Sequence, residues 1–262
     1  MVTKVNGHAH HEVVSDIHYW HYWHYWKHGQ IGPFVVRKPL VLGHESAGII
    51  VRAESSVKSL KLGYRVAIEP GVSCQSCDFC RAGKYNLCDD MQFAATCFVL
   101  PSHISIVEGA LVEPLSIAVY CARLAAISVG HTVFVMGAGP IGLLCCAVAK
   151  EFGASVITVT DTVDSRLDFA KTSATTHTYK MEPQSPMDNA ESILSMCCVS
   201  GGFDVVINAT GVASCISCGI TALRKGGVFI QAGLGAGEIS FPVVQYNFVR
   251  GRAYTRRALG TG

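Results

Sequence analysis

No apolar run in this sequence is long enough to cross a bilayer, and charge is scarce. Only 15% of the residues are Asp, Glu, Lys or Arg, against 50% hydrophobic. The first absence excludes a helical membrane span. The second argues against a disordered chain, which combines high charge with few apolar groups. Lys and Arg number 21 and Asp and Glu 19, a formal net charge of +2. No polyanionic partner is implied, so nucleic acid is not an expected ligand. The opening MVTKVNGHAHHEVV has no apolar core and no arginine-rich amphipathic pattern. Neither a secretory nor a transit signal is expected, no membrane partner is implied, and the cytoplasm is the expected compartment.

The chain does have cysteine: 12 in 262 residues. That is too sparse for a small disulfide scaffold, and four of the cysteines cluster. Without an export signal, clustering favours metal ligation over disulfides. Cys74, Cys77, Cys80 and Cys88 follow the pattern C-x2-C-x2-C-x7-C. Four thiolates so spaced can wrap one zinc ion tetrahedrally. Asp78, Arg81, Gly83 and Lys84 mark the segment as an exposed lobe. An iron–sulfur cluster fits less well, because the fourth cysteine lacks a ferredoxin context. A closed four-cysteine site has no open position, so its expected role is to fold the lobe and not to react. Cys145, Cys146, Cys215 and Cys218 read as small buried hydrophobes, with redox chemistry at Cys215-x-x-Cys218 the alternative.

Two halves differ in texture. Up to about residue 118 the chain is rich in Gly, Pro, His and short β-like runs, such as 41–51 and 64–70. Beyond it, strands and helices alternate. Residues 131–136, 155–160, 203–210 and 227–233 read as strands, and 142–153, 164–171 and 213–227 as helices. Such alternation implies an α/β fold, a parallel sheet with crossover helices. The expected domains are 1–118, with a metal lobe at 72–90, and 119–262.

Gly137-Ala-Gly139-Pro140-Ile141-Gly142 follows an expected strand and opens an expected helix. In that context GxGxxG is a dinucleotide fingerprint. Its glycines serve a tight turn, close approach to a pyrophosphate and helix–strand packing. The helix N-terminus supplies N–H groups for phosphate. Asp161 ends the next strand at the distance expected of an acid that accepts ribose hydroxyls. A carboxylate there repels a 2′-phosphate, so NAD is expected over NADP.

Gly43-His44-Glu45, the cysteine lobe, Arg65-Val-Ala-Ile-Glu-Pro-Gly71, Glu113-Pro-Leu-Ser116 and GAGPIG together resemble the zinc-dependent medium-chain alcohol and polyol dehydrogenases. The resemblance is closest to the fungal xylitol (D-xylulose reductase) and sorbitol dehydrogenase group and runs from about Ser15 to about Gly251. It implies a GroES-like, β-rich catalytic domain and a doubly wound Rossmann domain. It also implies NAD, a structural and a catalytic zinc, a small polyol substrate and a homo-oligomer. The implied reaction is zinc-assisted hydride transfer from a sugar alcohol of the xylitol or sorbitol type, giving the ketose. Carried over, His44 and Glu45 are catalytic-zinc ligands and Glu113 is the carboxylate beside them. Ser15 and His18 resemble the proton relay, and Tyr19 a substrate contact. Arg166 joins Asp161 at the adenosine ribose, and Ala232-Gly233-Leu234 match a turn near the nicotinamide.

The departures are specific. Where the group has Cys-Gly before Ser-Asp, this chain has Val13-Val14, and valine has no donor atom for a metal. After residues 93–96 the group's Pro-Pro-x-Asp-Gly segment is absent, and no clean equivalent of its substrate Arg-Tyr follows Val249-Arg-Gly251. The chain begins after the group's first strands and ends before the point where the group completes its Rossmann sheet, so both domains are expected to be truncated. His-Tyr-Trp is repeated three times between His18 and Trp26. This reads as one HYW of the group with a six-residue duplication, so His24 or Tyr25 could hold the place of His18 or Tyr19. A metal-binding stripe of His18, His21, His24 and His28 is the alternative. At the level of function the alternative is a non-catalytic remnant that binds NAD and zinc.

Overall fold

The computed structural model describes residues 44–233 and 235, with no side-chain detail at 93–95, and the backbone of four further strands. Those strands are β1 (Lys4–Asn6), β2 (Gln30–Ile31), β3 (Phe34–Val35) and β12 (Gly251–Tyr254). The chain divides into two compact units, with the break between Pro114 and Leu115. The expected domain boundary after residue 118 lies in the same helix, α3 (Val112–Leu124).

The first unit is built on an antiparallel sheet in the order β1-β4-β5-β6. Its central strands are β4 (Ser46–Arg52) and β5 (Arg65–Val72), and β6 (Gln92–Val99) flanks them. Ile49, Ile50 and Val51 in β4 and Val66 and Ile68 in β5 are the β-branched residues that suit a pleated surface. The cysteine lobe leaves β5 and holds only a four-residue helix, α1 (Asp78–Arg81), and a single 3-10 turn, Tyr85–Leu87. After β6, Ser105 and Glu108 form a reciprocal capping box that starts α2 (Ile106–Ala110). Ala47, Ala67, Leu100 and Ala110 form a small core there. A Cβ on Gly109 would stand 3.0 Å from the Cβ of Ala47, so glycine lets α2 lie close against β4.

The second unit is a parallel six-stranded sheet, β12-β11-β10-β7-β8-β9. Here β7 is Thr132–Met136, β8 Val156–Asp161, β9 His177–Lys180, β10 Phe203–Asn208 and β11 Leu223–Gln231. The crossover helices are α4 (Pro140–Glu151), α5 (Asp164–Lys171), α6 (Pro186–Met196) and α7 (Ala213–Ala222). The order reverses between β7 and β10, the switch point where doubly wound sheets bind nucleotides. Val133, Val135, Ile157, Val159, Val205 and Ile207 are buried on one face and Phe134, Met136, Val206 and Phe229 on the other, as expected for strands covered on both faces. Full burial of each such side chain contributes about 1.5–3 kcal/mol. Pro140 at the first helical position starts α4, and Gly153, at φ +88°, stops it.

Three features depart from the sequence reading. The helix expected over 213–227 ends at Ala222, and Leu223 opens β11 by pairing with Phe203. Gly202, at φ +104°, allows this, since any Cβ there would collide with the backbone of Ala222–Arg224. Gly251–Tyr254 forms a sixth parallel strand in a stretch given no strand above. The β9–α6 segment was not anticipated, because His177–Lys180 carries no hydrophobic alternation. Among the described residues no helix is long and apolar enough to cross a membrane.

Candidate metal centres and nucleotide turn

The cysteine lobe brings its four sulfurs within 4.8 Å of one another. Cys77 caps α1 and Gln75 turns at φ +60°, which folds the C-x2-C-x2-C run back on itself. The Cys74 Sγ lies 3.9 Å from the Cys80 Sγ, which accepts from the Cys77 thiol at 3.5 Å. The Ser76 hydroxyl and the N–H groups of Ser76 and Cys77 draw the Cys74 thiol down to about 6. Cys77, although the N–H of Cys80 favours its thiolate, is pushed up to about 11 by desolvation and neighbouring thiols. Cys88 is raised too, its bond from the Cys74 N–H outweighed by desolvation and the thiols beside it. One thiol ionises readily while burial and thiol–thiol hydrogen bonds keep protons on Cys77 and Cys88, protons that a divalent cation would displace. The four-cysteine donor set fits zinc. Tyr85 of the lobe hydrogen-bonds Glu69 of β5, whose carboxyl is raised by burial.

The second cluster is His44, Glu45 and Glu113, with one donor atom from each within 4.8 Å of the others. His44 and Glu45 immediately precede β4, and Glu113 lies in the first turn of α3. Glu45 is buried, at 4% exposure. Gly109 leaves room for α2 against Leu100 and against Ala47 of β4, and α3, which carries Glu113, follows α2 directly. Two carboxylates and an imidazole this close and this sheltered form a divalent-cation set, because a cation relieves the repulsion between the acids. Glu113 thus lies close enough to reach the same ion as His44 and Glu45. Val13, Ser15, His18, Tyr19 and their alternates His24 and Tyr25 lie outside the described residues, as does Leu234.

In the second unit Gly137, at φ +97°, turns the chain out of β7, and Gly139 caps α4. A Cβ on Gly139 would meet nothing within 4 Å, so this face of the turn is open to an incoming group. A Cβ on Gly142 would strike the carbonyl of Gly137. Gly142→Ala should cost about 1–3 kcal/mol through overpacking and weaken nucleotide binding. An unchanged melting temperature in thermal denaturation would contradict that packing role.

The Asp161 Oδ2 accepts from the Ala138 N–H at 2.9 Å and lies 3.6 Å from the Arg166 guanidinium. Ala232 and Gly233 follow β11, and both N–H groups bond the Asn208 carbonyl, at 2.9 and 3.0 Å. Sequence reasoning missed the network behind them. The Asn208 amide donates to Gln231 at 2.9 Å, and the Gln231 amide donates to the carbonyls of Thr210 and Gly233 at 2.8 and 2.7 Å. The visible signal was an amide at the end of each of two adjacent expected strands.

Comparison with known proteins matches residues 8–122 to the alcohol dehydrogenase GroES-like domain and residues 140–260 to the zinc-binding dehydrogenase domain. D-xylulose reductase A of Aspergillus niger is 46% identical over 247 residues, covering 88% of this chain and 67% of that protein. L-Idonate 5-dehydrogenase of Escherichia coli is 27% identical with a TM-score of 0.76, over 91% of this chain and 73% of that one. A zinc-binding dehydrogenase of Sinorhizobium meliloti, solved with NADP, is 29% identical with a TM-score of 0.74, over 80% of this chain and 66% of that one. The chain thus spans about two thirds of the length of the relatives it matches. With a domain match in each unit and nearly half its residues shared with a full-length relative, this chain belongs to the zinc-dependent alcohol and polyol dehydrogenases.

Proposed function

We propose that this chain is an NAD-linked polyol dehydrogenase of the xylitol and sorbitol type whose turnover is impaired. The observation that carries the reading is the meeting of His44, Glu45 and Glu113 in a chain related to D-xylulose reductases. These three residues would hold the catalytic zinc, and Cys74, Cys77, Cys80 and Cys88 the structural one. Bound at the first site, zinc supplies a Lewis acid that lowers the pKa of the substrate hydroxyl. His44 contributes a neutral ligand and the two glutamates balance the metal's charge. The burial of Glu45 keeps water from competing at that side. Ser15 and His18 are proposed to pass the alcohol proton to solvent, and Tyr19 to contact the substrate. Gly137, Gly139 and Gly142 shape the phosphate turn. Pro140 has no N–H, and Leu143 already bonds the Gly139 carbonyl at 2.9 Å, which leaves Ile141 and Gly142 as donors at the helix mouth. Asp161 and Arg166 receive the adenosine ribose, and Ala232-Gly233-Leu234 the nicotinamide end.

Impairment follows from Val13. If Glu113 must serve as a ligand in place of a thiolate, it no longer stands beside the metal as a separate carboxylate, and catalysis tolerates little misplacement. A second reading, a non-catalytic NAD- and zinc-binding remnant, draws on the same valine.

Metal analysis together with cofactor titration tests the proposal. Two zinc ions per chain, tighter binding of NADH than NADPH, and slow but measurable xylitol or sorbitol oxidation are expected. One zinc and no turnover would establish the remnant. Equal or tighter NADPH binding would remove Asp161 from the discriminating role.

A further inference from the structure

The carboxylate of Asp161 is spent largely inside the protein. Its side chain is 6% exposed. Oδ2 accepts the Ala138 N–H at 2.9 Å, and Oδ1 accepts those of Thr162 and Val163 at 2.8 and 2.9 Å. Ala138 is the second residue of the glycine-rich turn and is itself buried. The bond therefore crosses from the end of β8 to the turn that leaves β7. Beside it, the Gly137 N–H bonds the Thr160 carbonyl at 2.8 Å, so two successive residues of the turn are tied to the end of β8.

We propose that Asp161 is a positioning residue for the glycine-rich turn, holding it ready for phosphate before any nucleotide arrives. The inference rests on the nucleotide-binding reading above and deepens it. A carboxylate offers about four acceptor directions. Three are taken by backbone N–H groups, and the remaining one on Oδ2 faces the half-exposed Arg166. A ribose hydroxyl can engage Asp161 only at that last direction. Discrimination against a 2′-phosphate by charge and support of the turn are then two duties of one side chain.

No substitution separates these duties easily. Alanine leaves the buried Ala138 N–H without its acceptor. Asparagine keeps the shape but offers one oxygen and one NH2. Whichever way it turns, an NH2 faces either Ala138 or the Thr162–Val163 pair. Removing the negative charge therefore does not open the site to NADP, as it would if Asp161 only repelled the 2′-phosphate.

The test uses the full chain and the variants Asp161→Ala, Asp161→Asn and Arg166→Ala. NADH and NADPH affinities are read by fluorescence titration, and the Ala138 amide by hydrogen exchange without nucleotide. In both Asp161 variants, Ala138 should exchange at least about tenfold faster, and both nucleotides should bind at least about tenfold more weakly. Arg166→Ala should leave the exchange of Ala138 unchanged. Unaltered Ala138 exchange, or NADPH binding that is maintained or improved in either Asp161 variant, overturns the proposal. Should the alanine variant not fold, the asparagine variant decides on the same readouts. Should the parent bind neither nucleotide, the nucleotide-binding reading fails, while Ala138 exchange still decides whether Asp161 holds the turn.

Discussion

Replacing Cys77 by serine should empty the lobe of zinc and lower the melting temperature of the chain by at least about 10 °C. The lobe has almost no core of its own. Between β5 and β6 it offers a four-residue helix, neither of whose large side chains is buried, and one 3-10 turn. Cys88 is its buried cysteine, and Phe79 and Tyr85 are exposed. What organises the segment is the convergence of four sulfurs within 4.8 Å. Structural zinc binding is worth on the order of 10 kcal/mol, comparable to the net stability of a domain. Loss of one thiolate removes much of that, and Tyr85 then has no fixed frame from which to reach Glu69. Chelation of the parent should reproduce the effect. Acid should act in the same direction. Zinc must displace the protons that Cys77 and Cys88 hold at neutral pH, whereas Cys74, drawn down to about 6, is already largely ionised there. Affinity should therefore rise with pH through neutrality, by roughly tenfold per unit for each proton released. Metal analysis and thermal denaturation from pH 6 to 8 check both statements. A Cys77→Ser chain with the parent's zinc content and stability would show that the four sulfurs are not a metal site.

Glu113→Ala should lower the metal content from about two ions per chain to about one and abolish any remaining polyol oxidation. Tetrahedral catalytic zinc takes three protein ligands as a rule. With Glu113 the donor set is one imidazole and two carboxylates, and without it only His44 and Glu45 remain among the described residues. Glu113→Gln should do nearly as much damage, because it keeps the shape while replacing an anion by a neutral amide. The complementary change, Val13→Cys, supplies the thiolate that the resemblance to the xylitol and sorbitol group implies at this position. It should tighten zinc binding and recover part of the oxidation of xylitol. In the doubly changed chain, Val13→Cys with Glu113→Gln, metal content should return while turnover stays low, since the adjacent carboxylate is still missing. Full activity of the unmodified chain, or unchanged metal content in Glu113→Ala, would show that another donor, such as His11 or Glu12, completes the site.

What this sequence determined by itself is what depends on contiguous spacing. Four cysteines within fifteen residues can converge only on one another, since short loops tie them together. GAGPIG makes its turn because a left-handed Gly137, an open Gly139 and a crowded Gly142 are local requirements of strand, turn and helix. The β-branched runs of the second half declared a parallel sheet for the same reason. Where neighbours along the chain did not decide the structure, the reading drifted. Leu223 ends a helical pattern yet pairs with Phe203 as strand, beside Gly202 at positive φ, and the register is re-established only at Val228. The resemblance set Glu113 beside His44 and Glu45, but only the tertiary structure brought a donor atom of each within 4.8 Å of the others, because that distance depends on how α2 packs against Leu100 and Ala47, where Gly109 leaves room. Only it gave Asp161 a second duty, since the Ala138 N–H and the carboxylate become neighbours when β7 and β8 pair in register. Side-chain chemistry was legible from residue type, but which donors share a site is a long-range matter, set by sheet register and helix packing.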